Sequence, residues 1–141
     1  TVYILDANSG ETVQTLEWIN PAVSSLYGVA FASDWSRLAW YAQSAVFLMT
    51  LPDGKNGPML NHEENISALV WSPDGRHLAV ASAATIQGNL TPAVIIWDAF
   101  SGSKLSTLPQ DMAILHLTYS PDGSQIAALD SAGNLRVIRL K

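Results

Sequence analysis

The feature that most limits what this chain can fold into is an internal repeat. Ile66-Ser67-Ala68-Leu69-Val70-Trp71-Ser72-Pro73-Asp74-Gly75 recurs as Ile114-Leu115-His116-Leu117-Thr118-Tyr119-Ser120-Pro121-Asp122-Gly123, and a decayed copy runs from Leu26 through Val29, Phe31, Ser33 and Asp34. The aromatic anchors Phe31, Trp71 and Tyr119 stand 40 and 48 residues apart. A second block, Val94-Ile95-Ile96-Trp97-Asp98-Ala99-Phe100-Ser101-Gly102, is matched at 2–10, at 46–54 and finally at 135–140. Its markers Leu5, Met49, Trp97 and Ile138 are spaced by 44, 48 and 41. Two interleaved signals share one period, so the chain is a row of similar units.

Each period holds four short apolar segments rich in Val, Ile, Leu and aromatics, bounded by Gly, Pro, Asp, Asn or Ser, and none keeps a 3.6-residue rhythm over helical length. Strand a is expected at 26–32, 66–72 and 114–120, and strand b at 37–41, 77–82 and 125–130. Strand c is expected at 2–6, 45–49, 93–98 and 135–140, and strand d at 13–16, 59–61 and 104–107. Four-stranded antiparallel units at this period are blades of a β-propeller, so the fold class is all-β. The expected organisation is a single partial propeller: 1–16 as strands c and d of an incomplete first blade, 26–61 and 66–107 as the second and third, and 114–140 as a fourth lacking strand d. A chain of 141 residues then holds about three repeats, fewer than the four to eight blades that close a ring. The ledger runs to 13 strands, with a leading strand c that has no a or b of its own. That mismatch favours a segment of a longer propeller over a half-ring completed by oligomerisation.

Ile96-Trp97-Asp98 with Ser101-Gly102, together with the two Ser-Pro-Asp-Gly turns at 72–75 and 120–123, resembles the WD-repeat family of β-propellers in a degenerate, bacterial-type form. The turns are also similar to those of TolB-like and prolyl-oligopeptidase-like propellers. The WD resemblance implies a non-catalytic interaction scaffold. It also implies a buried network of a His before strand a, a strand-b hydroxyl, an Asp in the b–c turn and the strand-c Trp. His62 matches that His, but Asn61 replaces the Gly before it, the equivalents in other blades are Ala22 and Gln110, and Ala132 stands where the last blade's Asp belongs. Complete networks are therefore not expected, and apolar packing is expected to carry the blades.

Loop lengths single out one face. From the strand-a aromatic to the strand-b Leu or Ile the count is 7 in every blade, whereas Leu5 to Phe31 carries four extra residues around Asn20-Pro21 and the b–c connection of the third blade carries seven extra within 83–92. Connections d–a and b–c emerge on the same side of a propeller, and loops on a rigid scaffold are where binding concentrates. The candidate partner-binding residues are Trp18, Ile19, Pro21, His62, Glu63, Glu64, Asn89, Asp111 and Met112. Apolar and aromatic area among carboxylates suits a protein or peptide partner with basic or apolar side chains. Other expected partners are the remaining blades of a longer chain or other copies of this one. An accessory propeller of a larger hydrolase or a periplasmic assembly protein is the alternative reading.

Other chemistry has little support. Seven Lys+Arg against twelve Asp+Glu, a net charge of −5, give no footprint for nucleic acid. No apolar run reaches the roughly 20 residues of a membrane span. With three His at no ligand spacing and no Cys, no metal or other cofactor is expected. No Gly-x-Ser-x-Gly elbow marks a serine nucleophile, so no catalytic residue is assigned. His77 and His116 fall inside strands, and Asp53-Gly54-Lys55-Asn56-Gly57 reads as a turn between strands rather than a calcium loop.

Overall fold

A computed structural model describes residues 2–17, 26–62, 65–82, 85–86, 89–90 and 92–140. Among them there is no helix. The first sheet pairs β1 (Val2–Leu5) with β2 (Thr12–Leu16). The second follows chain order through β3 (Gly28–Phe31), β4 (Arg37–Ala42), β5 (Ala45–Thr50) and β6 (Leu60–Asn61). The third begins with β7 (Ile66–Trp71) and β8 (His77–Ser82). A small hairpin of β9 (Thr85–Ile86) and β10 (Asn89–Leu90) intervenes before β11 (Ala93–Asp98) and β12 (Lys104–Pro109) complete it. The fourth is β13 (Ile114–Tyr119), β14 (Gln125–Asp130) and β15 (Leu135–Arg139). All pairings are antiparallel and, apart from β8 with β11 across the β9–β10 hairpin, join sequence neighbours, the a-b-c-d order of a propeller blade. No closed ring forms from these sheets.

Alternation along each strand explains why the sheets stack. On β4, Ala39 and Tyr41 face the third sheet, while Leu38 and Trp40 face the first. On β8 and β11, Leu78, Val80, Ile95 and Trp97 face back to the second sheet, and Ala79, Ala81, Val94 and Ile96 face forward to the fourth. Both sides of an inner blade are covered, so its strands read as continuous apolar runs. Small residues on one side meet large ones on the other: Ala79 and Ala81 pack with Ile114 and Ile126.

Repeated turns set the spacing. In the a–b turns, Ser72 Oγ donates to Asp74 Oδ1 at 2.6 Å and accepts from His77 N at 2.9 Å, and Ser120 does the same with Asp122 and Gln125 at 2.6 and 3.0 Å. These bonds hold the Asp74 carboxyl below the usual range and Asp122 at about 2, the serine hydroxyl being the main cause in both. In the c–d turns Gly10, Gly54 and Gly102 N donate to the carbonyls of Asp6, Thr50 and Asp98. Asp53-Gly54 accordingly closes a turn, with Thr50 Oγ1 and the Lys55 amide and side chain donating to or pairing with Asp53.

Candidate functional site

Backbone hydrogen bonds put the d–a and b–c connections on one face. His62 N donates to Ser44 O at 2.7 Å, Ile66 N to Gln43 O at 2.8 Å, Gln110 N to Pro92 O at 2.8 Å and Ser131 N to Ala113 O at 2.8 Å, each bond joining one kind of connection to the other. The opposite face is closed by a–b turns bonded to c–d turns, as in Ala99 N to Arg76 O at 2.9 Å. The long b–c connection of the third blade carries β9 and β10, paired Asn89 to Ile86 and Leu90 to Thr85.

Of the residues expected on this face, Trp18, Ile19, Pro21, Glu63 and Glu64 lie outside the described residues. Asn89 lies on the β10 backbone. Asp111 and Met112 are exposed at the turn before β13. Asp111 is not a free carboxylate: Arg136 Nη1 donates to its Oδ2 at 2.7 Å. Arg136 also lies 3.5 Å through Nε from Asp130 Oδ2, tying the d–a loop to the b–c turn.

His62 is placed differently from Asp111 and Met112. It is only 6% exposed, and its Nε2 accepts a hydrogen bond from Trp97 Nε1 at 2.9 Å. Because Nε2 accepts, the proton of the neutral ring sits on Nδ1. Burial first, and then the Lys104 charge, pull its pKa down from 6.5 to about 4, so it is neutral at pH 7. Ser82, the strand-b hydroxyl of the same blade, is also buried. The expectation that apolar packing alone carries the blades is therefore corrected for the third one: desolvation of the indole N–H is offset by the imidazole wedged between sheets. In the fourth blade, where Ala132 stands at the turn position, a carboxylate at the end of β14 caps the b–c turn. Asp130 is buried and accepts from Ala132 N and Asn134 N at 2.9 Å each. The sequence signal was an Asp ending an apolar strand and followed four residues later by Asn.

A cleft of about 860 Å³ opens between the third and fourth sheets, lined by Asp74, His77, Tyr119, Asp122 and Arg139 among others. Its carboxylates serve their own turns. The buried Tyr119 hydroxyl, without a hydrogen-bond partner among the described residues, is pushed up to about 12 by burial and then by Asp74. No cluster of three or more His, Asp or Glu able to hold a metal occurs among the described residues. Among them, too, no helix is long and apolar enough to cross a membrane.

Four-stranded antiparallel sheets in a-b-c-d order, stacked face to face with shared turns and a His–Trp wedge, define a protein built from propeller-type blades. Residues 55–87 match the family model described as WD domain, G-beta repeat, so this central stretch of the chain is similar to a WD repeat. Repeats of this family generally serve protein interaction without chemistry of their own. No curated protein sequence matches the chain.

Proposed function

We propose that the chain is a non-catalytic interaction scaffold that binds a protein or peptide through its d–a and b–c loop face. The observation that supports this best is the β9–β10 hairpin, extra structure on a connection that closes in two residues at Gln43-Ser44. The hairpin stands on the same face as the Asp111 and Met112 turn. Trp18, Ile19, Pro21 and Met112 would supply apolar contact area. Glu63 and Glu64 would orient a basic partner, since rim charges act mainly on approach and register. Asn89 would offer an amide at the hairpin, and His62 would hold the loop that carries the two glutamates.

Peptides selected from a displayed library for binding to the chain test the reading. The expected winners combine Lys or Arg with apolar side chains, and lose about ten-fold or more in affinity to Trp18→Ala or Glu63→Lys while thermal stability is unchanged. A control at Lys55→Glu, in a c–d turn on the opposite face, should leave binding intact. Selected peptides indifferent to both loop variants but sensitive to the control would locate the binding face on the other side.

A further inference from the structure

Among the described residues eight hold a positive φ, and six of them are glycines, which take this backbone without steric cost. The two exceptions are Trp35, in an a–b turn, and Gln43, in the b–c turn of the second blade. That turn is tight: Ala42 pairs with Ala45, so Gln43 and Ser44 alone reverse the chain. It lies where the second and third sheets meet, both of them complete with four strands. Its two carbonyls are in use, Gln43 O accepting from Ile66 N at 2.8 Å and Ser44 O from His62 N at 2.7 Å. The turn therefore clamps both ends of the 62–66 connection, and Glu63 and Glu64 fall between the clamped residues in sequence.

Nothing among the described residues requires glutamine at this position. Gln43 has a φ of 50°, a region that a long side chain enters against steric resistance and where Gly, Asn or Asp is favoured. In the fourth blade the b–c turn takes its positive φ, 84°, at Gly133, within the four residues between β14 and β15. The clamp on the 62–66 connection is made by backbone carbonyls and would be the same with glycine. The Gln43 side chain is exposed, and its carboxamide has no hydrogen-bond partner among the described residues. A strained backbone that carries a side chain the fold does not use marks a residue whose contact lies outside the molecule, since such strain concentrates at functional sites.

We propose that Gln43 is a partner-contacting residue, its carboxamide pairing with the main chain of an extended peptide whose basic side chain meets Glu63 or Glu64. A primary amide offers an acceptor and two donors, so it can accept from one backbone N–H and donate to one backbone C=O. Pairing of this kind takes any peptide sequence. Selection of the basic side chain is left to the carboxylates, which act on approach and register. A side chain carried on a two-residue turn with both carbonyls bonded is positioned before the peptide arrives, so less ordering is lost on binding. The inference rests on the loop-face reading of the function and adds to it the residue that reads the peptide backbone.

The probe is a set of peptides selected on the unmodified chain, with their affinities measured for Gln43→Gly and Gln43→Glu beside Trp18→Ala and Glu63→Lys. Gln43→Gly should weaken binding about ten-fold while its melting temperature holds or rises, because glycine removes the carboxamide and suits the backbone. Gln43→Glu separates hydrogen bonding from charge. A further carboxylate would tighten a basic peptide by charge alone, whereas loss of the amide donor should weaken it, most clearly in high salt where charge is screened. Single backbone N-methylation along the peptide should find one position that costs about three- to ten-fold on the unmodified chain and nothing on Gln43→Gly. Peptides that bind Gln43→Gly undiminished, yet lose affinity to Trp18→Ala or Glu63→Lys, would overturn the Gln43 contact and leave the loop face standing. Tighter binding to Gln43→Glu in high salt, or no N-methyl position coupled to Gln43, would likewise overturn the contact alone. Peptides indifferent to all of these variants would overturn both.

Discussion

At the scale of single residues, the buried polar groups among the described residues include His62, Ser72, Ser82 and Asp130. His62 is the clearest case. Its unfolded pKa of 6.5 falls to about 4 in the folded blade, so the unfolded chain binds the proton first as pH drops. The stability it contributes is fully present above pH 6.5 and is lost as pH falls through about 4. The turn carboxylates act in a lower window: Asp53 and Asp122, held at about 2 by their serine, threonine and lysine partners, add stability above pH 3.8 that is lost as pH falls toward 2. Thermal melts from pH 7 to pH 4 should therefore show a declining midpoint that His62→Phe flattens, leaving the steeper fall at lower pH in place. An unchanged slope in the variant would mean that His62 is charged in the folded blade. His62 was legible as a family-type histidine from its place before β7. Its depth was not, because a residue flanked by Asn61 and Glu63 reads as a solvated loop until the third sheet closes over it.

Elements of the fold are spaced by their turns, and the turns show which sheet carries a neighbour. Strand positions followed from apolar runs and punctuation: β8, β11 and β14 have the expected bounds, and β3 is shorter than expected at Gly28–Phe31. The b–c insertion was visible as a length, but its β9–β10 pairing depends on a local register that two-residue strands, Thr85–Ile86 and Asn89–Leu90, are too short to signal. Between the second and third sheets an unanticipated latch forms. Arg37 donates through Nη2 to Gly75 O, with its guanidinium 4.9 Å from the Trp71 ring and 4.1 Å from the Phe100 ring. A single arginine at a strand start carries no signature of cross-sheet stacking. The latch makes the two Ser-Pro-Asp-Gly turns unequal. Gly75→Ala forces a Cβ into a left-handed backbone and against Arg37, and should cost about 1–2 kcal/mol or more in chemical denaturation. Gly123→Ala carries the backbone strain with only ordinary contact to Pro73, and should cost less. Equal costs would show that the latch yields without penalty.

Across the whole molecule, the described sheets meet their neighbours along the row through three core clusters, so stability should be graded along it in the manner of repeat proteins. Hydrogen exchange should find the slowest amides on β8 and β11, which are covered on both faces. Faster exchange is expected on β1 and β2, where the sheet has two strands, and on β15, which pairs on one side only among the described residues. Uniform protection across all four sheets would instead indicate one cooperative unit. The sequence by itself determined the all-β class, the blade period and the turns, because period-two alternation, strand-length apolar runs and Ser-Pro-Asp-Gly punctuation are local properties that each segment carries alone. Only the tertiary structure decided which residues are buried and which are left open. His62 is inside because Trp97 needs an acceptor, Asp111 is tied up because Arg136 reaches it, and Leu135, Val137 and Trp35 are exposed because none of the described sheets lies against them. Exposure and pairing are set by what packs from elsewhere in space, and equivalent residues of one repeat end up in opposite environments according to whether a further sheet covers them.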